Sequence, residues 1–375
     1  MNCKIVKVDD KALTKKFIDF PHDLYKNDPN YVPQLYVAVK EILSKKKNPF
    51  FKHSEADIFL AMRGNEVVGR VAAIANRNYN DYHDSNIGFF GFFDCIEEYE
   101  VAEMLLDTAY EWCKSKGFDQ IHGPTNFTTN DTAGLLVDGF DSPPVVEMTY
   151  NAPYYKEFVE RYGFSKEMDL FAYFIPTKTA SEKYLRISAT LQERLEKKGI
   201  TFRPMNLKNI KAEIQQVKKV YRSAWEKNWG FVPPTDEEFD VLAANFKLIL
   251  HPRYCYVAEL NGKMIGFSVG LPDINEIIIN MKRGRLFPFG IFKLLMGKLK
   301  TRKVRIVLLG VFEEYRNLGI AAVFFAKLIN SAKKYGLEGG EASWVLENNK
   351  MMVRGAENLN GKKYKTYRIY SKAIS

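Results

Sequence analysis

The sequence lacks the cysteine and histidine spacings that mark metal centres and disulfide-rich folds. Its four cysteines, Cys3, Cys95, Cys113 and Cys255, lie far apart, and none forms a Cys-x-x-Cys pair. The five histidines show no metal-ligand spacing such as His-x-x-x-His. These absences exclude zinc ribbons and a disulfide framework, and we expect no metal.

Long apolar runs are also missing. No run approaches the roughly 18 residues that suggest a membrane-spanning helix. Met1–Lys4 lead into a mixed polar strand rather than the apolar core of a signal peptide, so we expect a cytoplasmic protein. The 375 residues are 46% hydrophobic and 27% charged, which is typical of folded chains and suits two or three domains.

Basic residues outnumber acidic ones by 55 to 45, which gives a net charge of +10. This balance favours an anionic partner such as a phosphorylated cofactor or a lipid headgroup, although it also serves solubility alone. We expect no nucleic-acid partner, because the basic stretch lacks a recognisable reading module. Aromatic residues are abundant, at 14%, and indicate large cores or aromatic-lined clefts.

The chain repeats itself once. Phe59–Ala73 and Tyr256–Gly270 each read as two apolar strands joined by a tight turn, and Ala61 matches Ala258 at an offset of 197 residues. Two later matches keep the same order: a pair of amphipathic helices, Glu100–Lys116 and Gly319–Tyr335, and then a pair of asparagines, Asn151 and Asn349. We therefore predict two copies of one domain, residues 1–180 and 181–375. Each copy reads as mixed α/β, with an antiparallel hairpin that leads into a partly parallel sheet.

The second copy contains a candidate anion site. The predicted strand Val304–Val311 runs into a short loop and then a helix whose first turn is Arg316–Ala321. A helix N-terminus presents unpaired N–H groups and the positive end of the helix dipole. Gly319 permits close approach to the backbone and Arg316 adds charge, so this turn suits a pyrophosphate.

The motif Arg-x-x-Gly-x-Ala after a strand resembles the acetyl-CoA loop of the GNAT acyltransferase superfamily, and the two halves together resemble tandem GNAT proteins. The resemblance implies transfer of an acyl group from acyl-CoA, with acetyl-CoA the expected donor, to a small-molecule or peptide amine or to a hydroxyl. It also implies that backbone groups of the strand bind the pantetheine arm and polarise the thioester carbonyl. The cofactor-binding residues implied are Leu309, Val311, Arg316, Asn317, Leu318, Gly319, Ile320, Ala321, Asn348 and Asn349.

The chain departs from this family at the general acid. Ala356 and Glu357 stand where many members carry a tyrosine, so the acid must come from elsewhere, with Tyr364, Tyr367 and Tyr370 of the last strand as candidates. Glu341 and Glu347 flank the strand that precedes the asparagines and are candidate bases; the alternative is a solvated surface charge. The acceptor pocket is assigned to Trp225, Trp229 and Phe231, for which a packed aromatic corner is the alternative.

The first copy carries carboxylates where the second carries the loop. Glu97 aligns with Arg316 and Glu100 with Gly319. Two like charges at about 4 Å repel by about 4 kcal/mol at an effective dielectric of 20, so we predict that the first copy does not bind CoA there. Its turn-rich segment Gly123–Tyr155 lines the acceptor pocket or forms an ordered surface loop.

A basic and apolar segment separates the second hairpin from its helix. From Ile277 to Phe312 there is no acidic residue, and residues 282–305 carry nine lysines and arginines among leucines and phenylalanines. This pattern is typical of a segment that binds an anionic membrane surface or a lipid-like substrate. It also fits a segment that contacts the adenosine phosphate, or a helix packed on the domain. Two alternatives to a GNAT-type N-acyltransferase therefore stay open: a non-catalytic protein that binds CoA or another ligand, and a lipid- or aminoacyl-directed transferase at a membrane surface.

Overall fold

A computed structural model describes residues 3–375 and divides them into two compact units. Unit 1 comprises the described residues up to Leu170 together with Ile278–Ile291 and Lys365–Ser375, and unit 2 comprises Phe171–Ile277 and Phe292–Tyr364. Met1 and Asn2, which begin the segment that argued against a signal peptide, lie outside the described residues.

Unit 1 is a mixed sheet with helices. Its strands are β1 (Cys3–Lys7), β2 (Glu55–Arg63), β3 (Glu66–Ala75), β4 (Ile87–Cys95), β5 (Gln120–Gly123), β6 (Thr125–Asn126), β7 (Thr132–Ala133), β8 (Leu135–Asp138) and the start of β9 (Ser165–Pro176). Its helices are α1 (Lys11–Leu24), α2 (Tyr36–Ile42), α3 (Arg77–His83), α4 (Tyr99–Ser115) and α5 (Tyr155–Arg161). Strands β1 to β4 are successive antiparallel neighbours, and β4 then pairs with β5 in parallel.

Unit 2 repeats this order. Its helices are α6 (Glu182–Glu196), α7 (Ile210–Trp225), α8 (Asp236–Lys247), α9 (Asn275–Ile278), α10 (Gly290–Gly297, in this unit from Phe292), α11 (Ile320–Lys334) and α12 (Lys350–Asn358). Its strands are β10 (Ile200–Pro204), β11 (Cys255–Leu260), β12 (Lys263–Pro272), β13 (Lys303–Val311), β14 (Gly339–Leu346) and the start of β15 (Lys362–Ala373). Strands β10 to β13 are antiparallel neighbours, and β13 pairs with β14 in parallel.

The two hairpins agree in detail. Ala61 pairs with Gly69 in β2–β3, Ala258 pairs with Gly266 in β11–β12, and in both ladders the register shifts at the next residue. The repeat found in the sequence is therefore a structural repeat, and the predicted mixed α/β fold is confirmed.

The long helices form where the apolar periodicity predicts them. In α4, Val101, Leu105 and Ala109 lie on one buried face, and α11 buries its own apolar face in the same way. Each helix ends before a glycine with positive φ, Gly117 at +80° and Gly336 at +69°, a conformation that glycine adopts without strain.

Two strands pass from one unit to the other along the chain. Strand β9 enters unit 2 at Phe171, and β15 enters unit 1 at Lys365, where its later residues pair with β5 and β8. The proposed division at residue 180 follows the sequence repeat, whereas the compact units each take one strand end from the other half of the chain.

Candidate functional site

The unit 2 sheet opens between β13 and β14. Their parallel pairing ends at Ile306 and Ala342, although β13 continues to Val311 and β14 to Leu346. On its other side β13 stays paired with β12 as far as Val311, after a bulge near Val269. The last five residues of β13, which include Leu309, are therefore held from one side and have no β14 pairing on the other.

The chain after β13 differs in one respect from the sequence prediction. Glu313–Leu318 forms a 3₁₀ helix, and α11 begins only at Ile320, so Arg316 does not lie in the first turn of the α-helix. Gly319 separates the two with a φ of +80°, and a Cβ there would lie 2.7 Å from a methyl carbon of Leu191. The glycine is thus needed for its backbone conformation and for packing against α6. The amides at the start of α11 remain a suitable anion site, since the first turn of a helix lacks intrahelical acceptors.

Arg316 contacts backbone carbonyls of its own unit. Its guanidinium donates to the Ala224 carbonyl at 2.7 Å, to the Ser223 carbonyl at 3.2 Å and to the Val311 carbonyl at 3.3 Å. A cation at the last carbonyls of a helix complements the helix dipole, so Arg316 fixes the end of α7 beside the end of β13.

The two asparagines lie at the start of α12. The Asn349 side chain caps this helix by accepting from the Met352 amide at 3.2 Å, while Asn348 is exposed. Glu347 is half-buried in the turn between β14 and α12. All three follow the C-terminal end of β14, but the capping bond gives Asn349 a structural role of its own.

Glu341 and Tyr364, which the sequence suggests separately as base and acid, are in contact. Glu341 is buried in β14 and accepts hydrogen bonds from the Tyr364 hydroxyl and from the Ser343 hydroxyl. Arg305, the register partner of Glu341 on β13, donates through Nε to the Ser343 hydroxyl at 2.9 Å. These four side chains form the Glu341 cluster, at the point where β13 and β14 stop pairing.

The Glu341 cluster contains two residues that sequence reasoning misses. In the sequence Arg305 stands out only as part of the basic segment, yet it is buried and its side chain lies over the Trp344 ring at 5.2 Å. Ser343 does not stand out at all. Alternation along β14 places Glu341 and Ser343 on the same face, and this i, i+2 spacing of polar residues in an apolar strand is the available signal. Tyr367 and Tyr370 are buried and belong to unit 1.

The proposed acceptor residues form an aromatic group on α7 and the loop after it. Trp225 stacks on Tyr221 with ring centroids 4.5 Å apart, and Phe231 meets Tyr221 edge-on at 5.7 Å. Trp225 also covers Gly310 of β13, where a Cβ would come within 2.4 Å of its ring. Phe231 is buried and Trp229 half-buried, so packing accounts for much of this group, while Trp225 borders the end of β13.

Three comparisons with known proteins assign the chain to a family. A model of the acetyltransferase (GNAT) family matches residues 214–357. Protein YghO of Escherichia coli (strain K12) is 34% identical over 369 residues, which cover 96% of this chain and 93% of that protein. The bacterial ceramide synthase of Caulobacter vibrioides is 34% identical over 381 residues, which cover 99% and 97%.

The chain belongs to the GNAT acetyltransferase family. A solved tandem GNAT protein from the clavulanic acid biosynthesis pathway has the same fold, with a TM-score of 0.61 and 11% identity, and the match covers 100% of this chain and 99% of that one. Tandem GNAT architecture and membership of an acyltransferase family, both expected from the sequence, are confirmed.

In unit 1 the corresponding GNAT strand is covered by its own chain. The Phe92 amide of β4 donates to the Asn126 side chain at 2.7 Å, and the Thr125 carbonyl lies where a Cβ of Gly91 would be. The Cys95 amide donates to the Tyr155 hydroxyl at 2.7 Å. Cys95 aligns with Val311 in register, because each pairs with the matching glycine of its hairpin.

Two adjacent tyrosines account for much of this covering. The hydroxyls of Tyr154 and Tyr155 donate to the Cys95 carbonyl at 2.7 and 3.0 Å. At the offset of 198 that aligns the two asparagines, Met352 and Val353 take their places in unit 2. Neither of these side chains carries a hydrogen-bonding group of comparable strength, and this exchange in side-chain chemistry distinguishes the two GNAT copies.

Unit 1 also contains a buried polar network that sequence reasoning misses. Asp94 of β4 is paired with Arg70 of β3 at 2.7 Å and accepts from the Tyr25 hydroxyl at 2.9 Å. Burial raises the pKa of Tyr25, and the Asp94 carboxylate raises it further. The sequence does contain a signal, since Arg70 and Asp94 are opposite charges inside two apolar strands. These contacts hold the first GNAT copy together around the covered strand.

Proposed function

We propose that unit 2 binds acyl-CoA and transfers its acyl group to an amine. The observation that carries this proposal is the end of β13–β14 pairing at Ile306 and Ala342, beyond which β13 is still held by β12. Backbone groups near Leu309 and Val311 would then bind the amides of the pantetheine arm. The diphosphate would lie at the amides that begin α11 at Ile320, and Asn317, exposed just before it, would border the phosphates.

The reaction needs two proton transfers. The amine nitrogen attacks the thioester carbonyl carbon, the carbon–sulfur bond breaks, the new amide nitrogen loses a proton and the CoA thiolate gains one. We assign these two proton transfers to Tyr364 and Glu341, because the hydroxyl donates a hydrogen bond to the carboxylate and Arg305 lies within the same cluster. This pair would take the place of the tyrosine that Ala356 and Glu357 replace.

For the acceptor we propose a long-chain amino alcohol. Ceramide is the amide of a fatty acid with such an amine, and one relative is named as a bacterial ceramide synthase at 34% identity over nearly the whole chain. A fatty acyl-CoA rather than acetyl-CoA would then be the donor. The aromatic ring of Trp225 beside Gly310 offers an apolar wall near the end of β13.

Binding of CoA is best tested at Ala321, in the first turn of α11. Gly319 is unsuitable, because any side chain there meets Leu191 and a strained φ. Ala321→Glu adds a carboxylate, which is compatible with the positive end of the helix dipole, so the helix should stay folded. The same carboxylate would repel a diphosphate at this site, and the affinity for CoA should fall on the order of 100-fold. The matched control is Asn330→Glu, an exposed position nearer the other end of the same helix. Calorimetric titration with CoA measures both, and equal affinity in both variants would refute the site.

Turnover is tested with two donors and two acceptors. Thiol release from acetyl-CoA and palmitoyl-CoA is followed with sphinganine or a short alkyl amine as acceptor, and mass spectrometry identifies the amide. We expect palmitoyl-CoA with sphinganine to give the highest rate. CoA binding without turnover of any pair would favour the second candidate, a binding protein without catalysis, which the absence of the usual tyrosine at Ala356 supports.

A further inference from the structure

Helix α10 and the turn after it expose apolar side chains on one face. Phe292, Leu295, Met296 and Leu299 are between 43% and 70% exposed. The spacing of three and four residues places Phe292, Leu295 and Met296 on the same side of α10, and Leu299 follows in the turn. Leu294, by contrast, is buried, and the Lys298 ammonium attaches the segment to unit 2 by donating to the Leu248 carbonyl at 2.7 Å. A row of four large apolar groups in water is unusual for a folded chain and marks an interaction surface.

The charge around this row is positive. Lys293 and Lys300 are exposed on the same segment, and no acidic residue occurs between Ile277 and Phe312. Other cations of the segment in unit 2 are already engaged: Arg302 pairs with Glu338 at 2.8 Å, and Arg305 belongs to the Glu341 cluster. Lys293 and Lys300 therefore give the apolar row a basic border.

An amphipathic segment of this kind has the properties of a helix that lies in the headgroup region of a bilayer. Its apolar side chains would enter the boundary between headgroups and acyl chains, while its lysines would meet lipid phosphates. Within residues 3–375 no helix is long and apolar enough to cross a membrane.

We infer that α10 and the turn to Lys300 form a docking surface for an anionic membrane. Exposed lysines on a segment that carries no acidic residue of its own favour an anionic lipid surface over an uncharged one. The inference deepens the proposed function, on which its link to a lipid acceptor rests, because docking would bring unit 2 to the surface where a long-chain amine resides. A vesicle-binding test contains no CoA and no acceptor, so its failure is distinguishable from failure of the proposed reaction.

The test is cosedimentation of the full chain with vesicles of phosphatidylcholine alone or mixed with phosphatidylglycerol. We expect binding to the mixed vesicles that weakens with salt. The triple variant Phe292→Gln, Leu295→Gln, Met296→Gln should reduce binding at least tenfold, whereas Ile187→Gln with Met351→Gln, two exposed apolar positions elsewhere in unit 2, should not. Replacing Lys293 and Lys300 by Gln should reduce binding on the order of 25-fold, at about fivefold per lysine.

The thermal unfolding midpoint of each variant shows that it is folded, so that a loss of binding reports on the surface. The inference is overturned if the unmodified chain does not bind anionic vesicles, or if the triple variant binds them as tightly as the control variant does. It is also overturned if the triple change separates an oligomer into monomers while vesicle binding persists, because the row would then be a contact between protein chains.

Discussion

At the scale of single residues, the chemistry proposed for unit 2 depends on one buried carboxylate. Burying a charge is costly unless hydrogen bonds or a counter-charge compensate. Glu341 accepts hydrogen bonds from the hydroxyls of Ser343 and Tyr364, and the Arg305 guanidinium donates to the same Ser343 hydroxyl. If this network transfers protons, substitutions in it lower kcat. If it is purely structural, they lower the stability of the fold instead.

Glu341→Gln keeps the size of the side chain and removes the charge. If Glu341 and Tyr364 move protons, this change should lower kcat on the order of 100-fold or more, with CoA affinity nearly unchanged. Tyr364→Phe should lower kcat by a similar factor and alter the pH–rate profile. A purely structural network would instead show a lower unfolding midpoint with kcat preserved in the folded fraction. Ser371→Ala, at a residue of unit 1, is the control.

A second single-residue effect concerns stability in acid. Burial, together with the positive charges of Arg70, Arg283 and Arg285, lowers the pKa of His22 to about 3. The His22 imidazole is therefore protonated near pH 6.5 in the unfolded chain but stays neutral at that pH in the folded chain. The free energy of unfolding consequently falls as the pH drops below 6.5. The loss between pH 7 and pH 5 should be about 2 kcal/mol.

Urea unfolding of His22→Gln measures this contribution. Gln does not titrate, so the variant should lose about 2 kcal/mol less than the unmodified chain between the two pH values. Parallel pH dependence of the two proteins would show that His22 is not the group responsible. The exposed residues of α1, such as Lys15, provide a neutral control when replaced by Gln.

At the scale of elements, the two copies show how one arrangement of strands can be open or covered. In both, a central strand pairs antiparallel with the hairpin and briefly in parallel with the next strand. The copies differ in the side chains that reach the central strand: Asn126 and two tyrosines bond to β4 in unit 1, whereas unit 2 has Met352 and Val353 at the tyrosine positions. Main chain also contributes, since the Thr125 carbonyl of β6 lies against Gly91, and among the described residues unit 2 has no strands between β14 and α12 that correspond to β6, β7 and β8.

The cover in unit 1 should be part of its stability. Tyr155→Phe removes the hydroxyl that accepts from the Cys95 amide, and a buried N–H without an acceptor costs about 1–3 kcal/mol. Tyr162→Phe is the matched control, because its hydroxyl bonds to Asp107 at the surface and its loss should cost about 1 kcal/mol or less. Urea unfolding of both variants measures the loss in free energy of unfolding. Equal losses would mean that the hydrogen bond to the Cys95 amide stabilises the fold no more than the surface bond of Tyr162 does.

Most helices and strands could be predicted from the sequence, but only part of the candidate functional site could. The hairpins and the helices α4 and α11 follow from local periodicity. The two helices lie within one residue of the expected bounds, whereas the first hairpin begins four residues before the expected Phe59. The contact of Glu341 with Tyr364 spans 23 residues, and the bonds of Arg316 to α7 span more than 90, so both depend on packing that no local pattern contains. The sequence places the start of α11 too early for a related reason, since the motif does not specify the positive φ at which Gly319 ends one helix and begins the next.

At the scale of the whole molecule, a duplicated GNAT fold raises the question of how many cofactors one chain can hold. The start of α4 in unit 1 carries Glu98, which pairs with Arg63, and the exposed Glu100 in its first turn. These carboxylates disfavour a diphosphate at that helix, while the covered β4 leaves no backbone groups of Cys95 for a pantetheine arm. The start of α11 carries no acidic residue in its first turn. These differences support the proposal that unit 2, and not unit 1, binds the cofactor.

We accordingly expect one CoA per chain. Calorimetric titration of the full chain should give a stoichiometry of one, and Ala321→Glu should remove nearly all of the measurable binding rather than half of it. Tyr155→Phe should leave the stoichiometry at one, because Tyr154 and Asn126 still occupy β4. Two equivalent sites, or a residual site in Ala321→Glu with the affinity of the unmodified chain, would show that unit 1 also binds CoA and that the covered strand opens on binding.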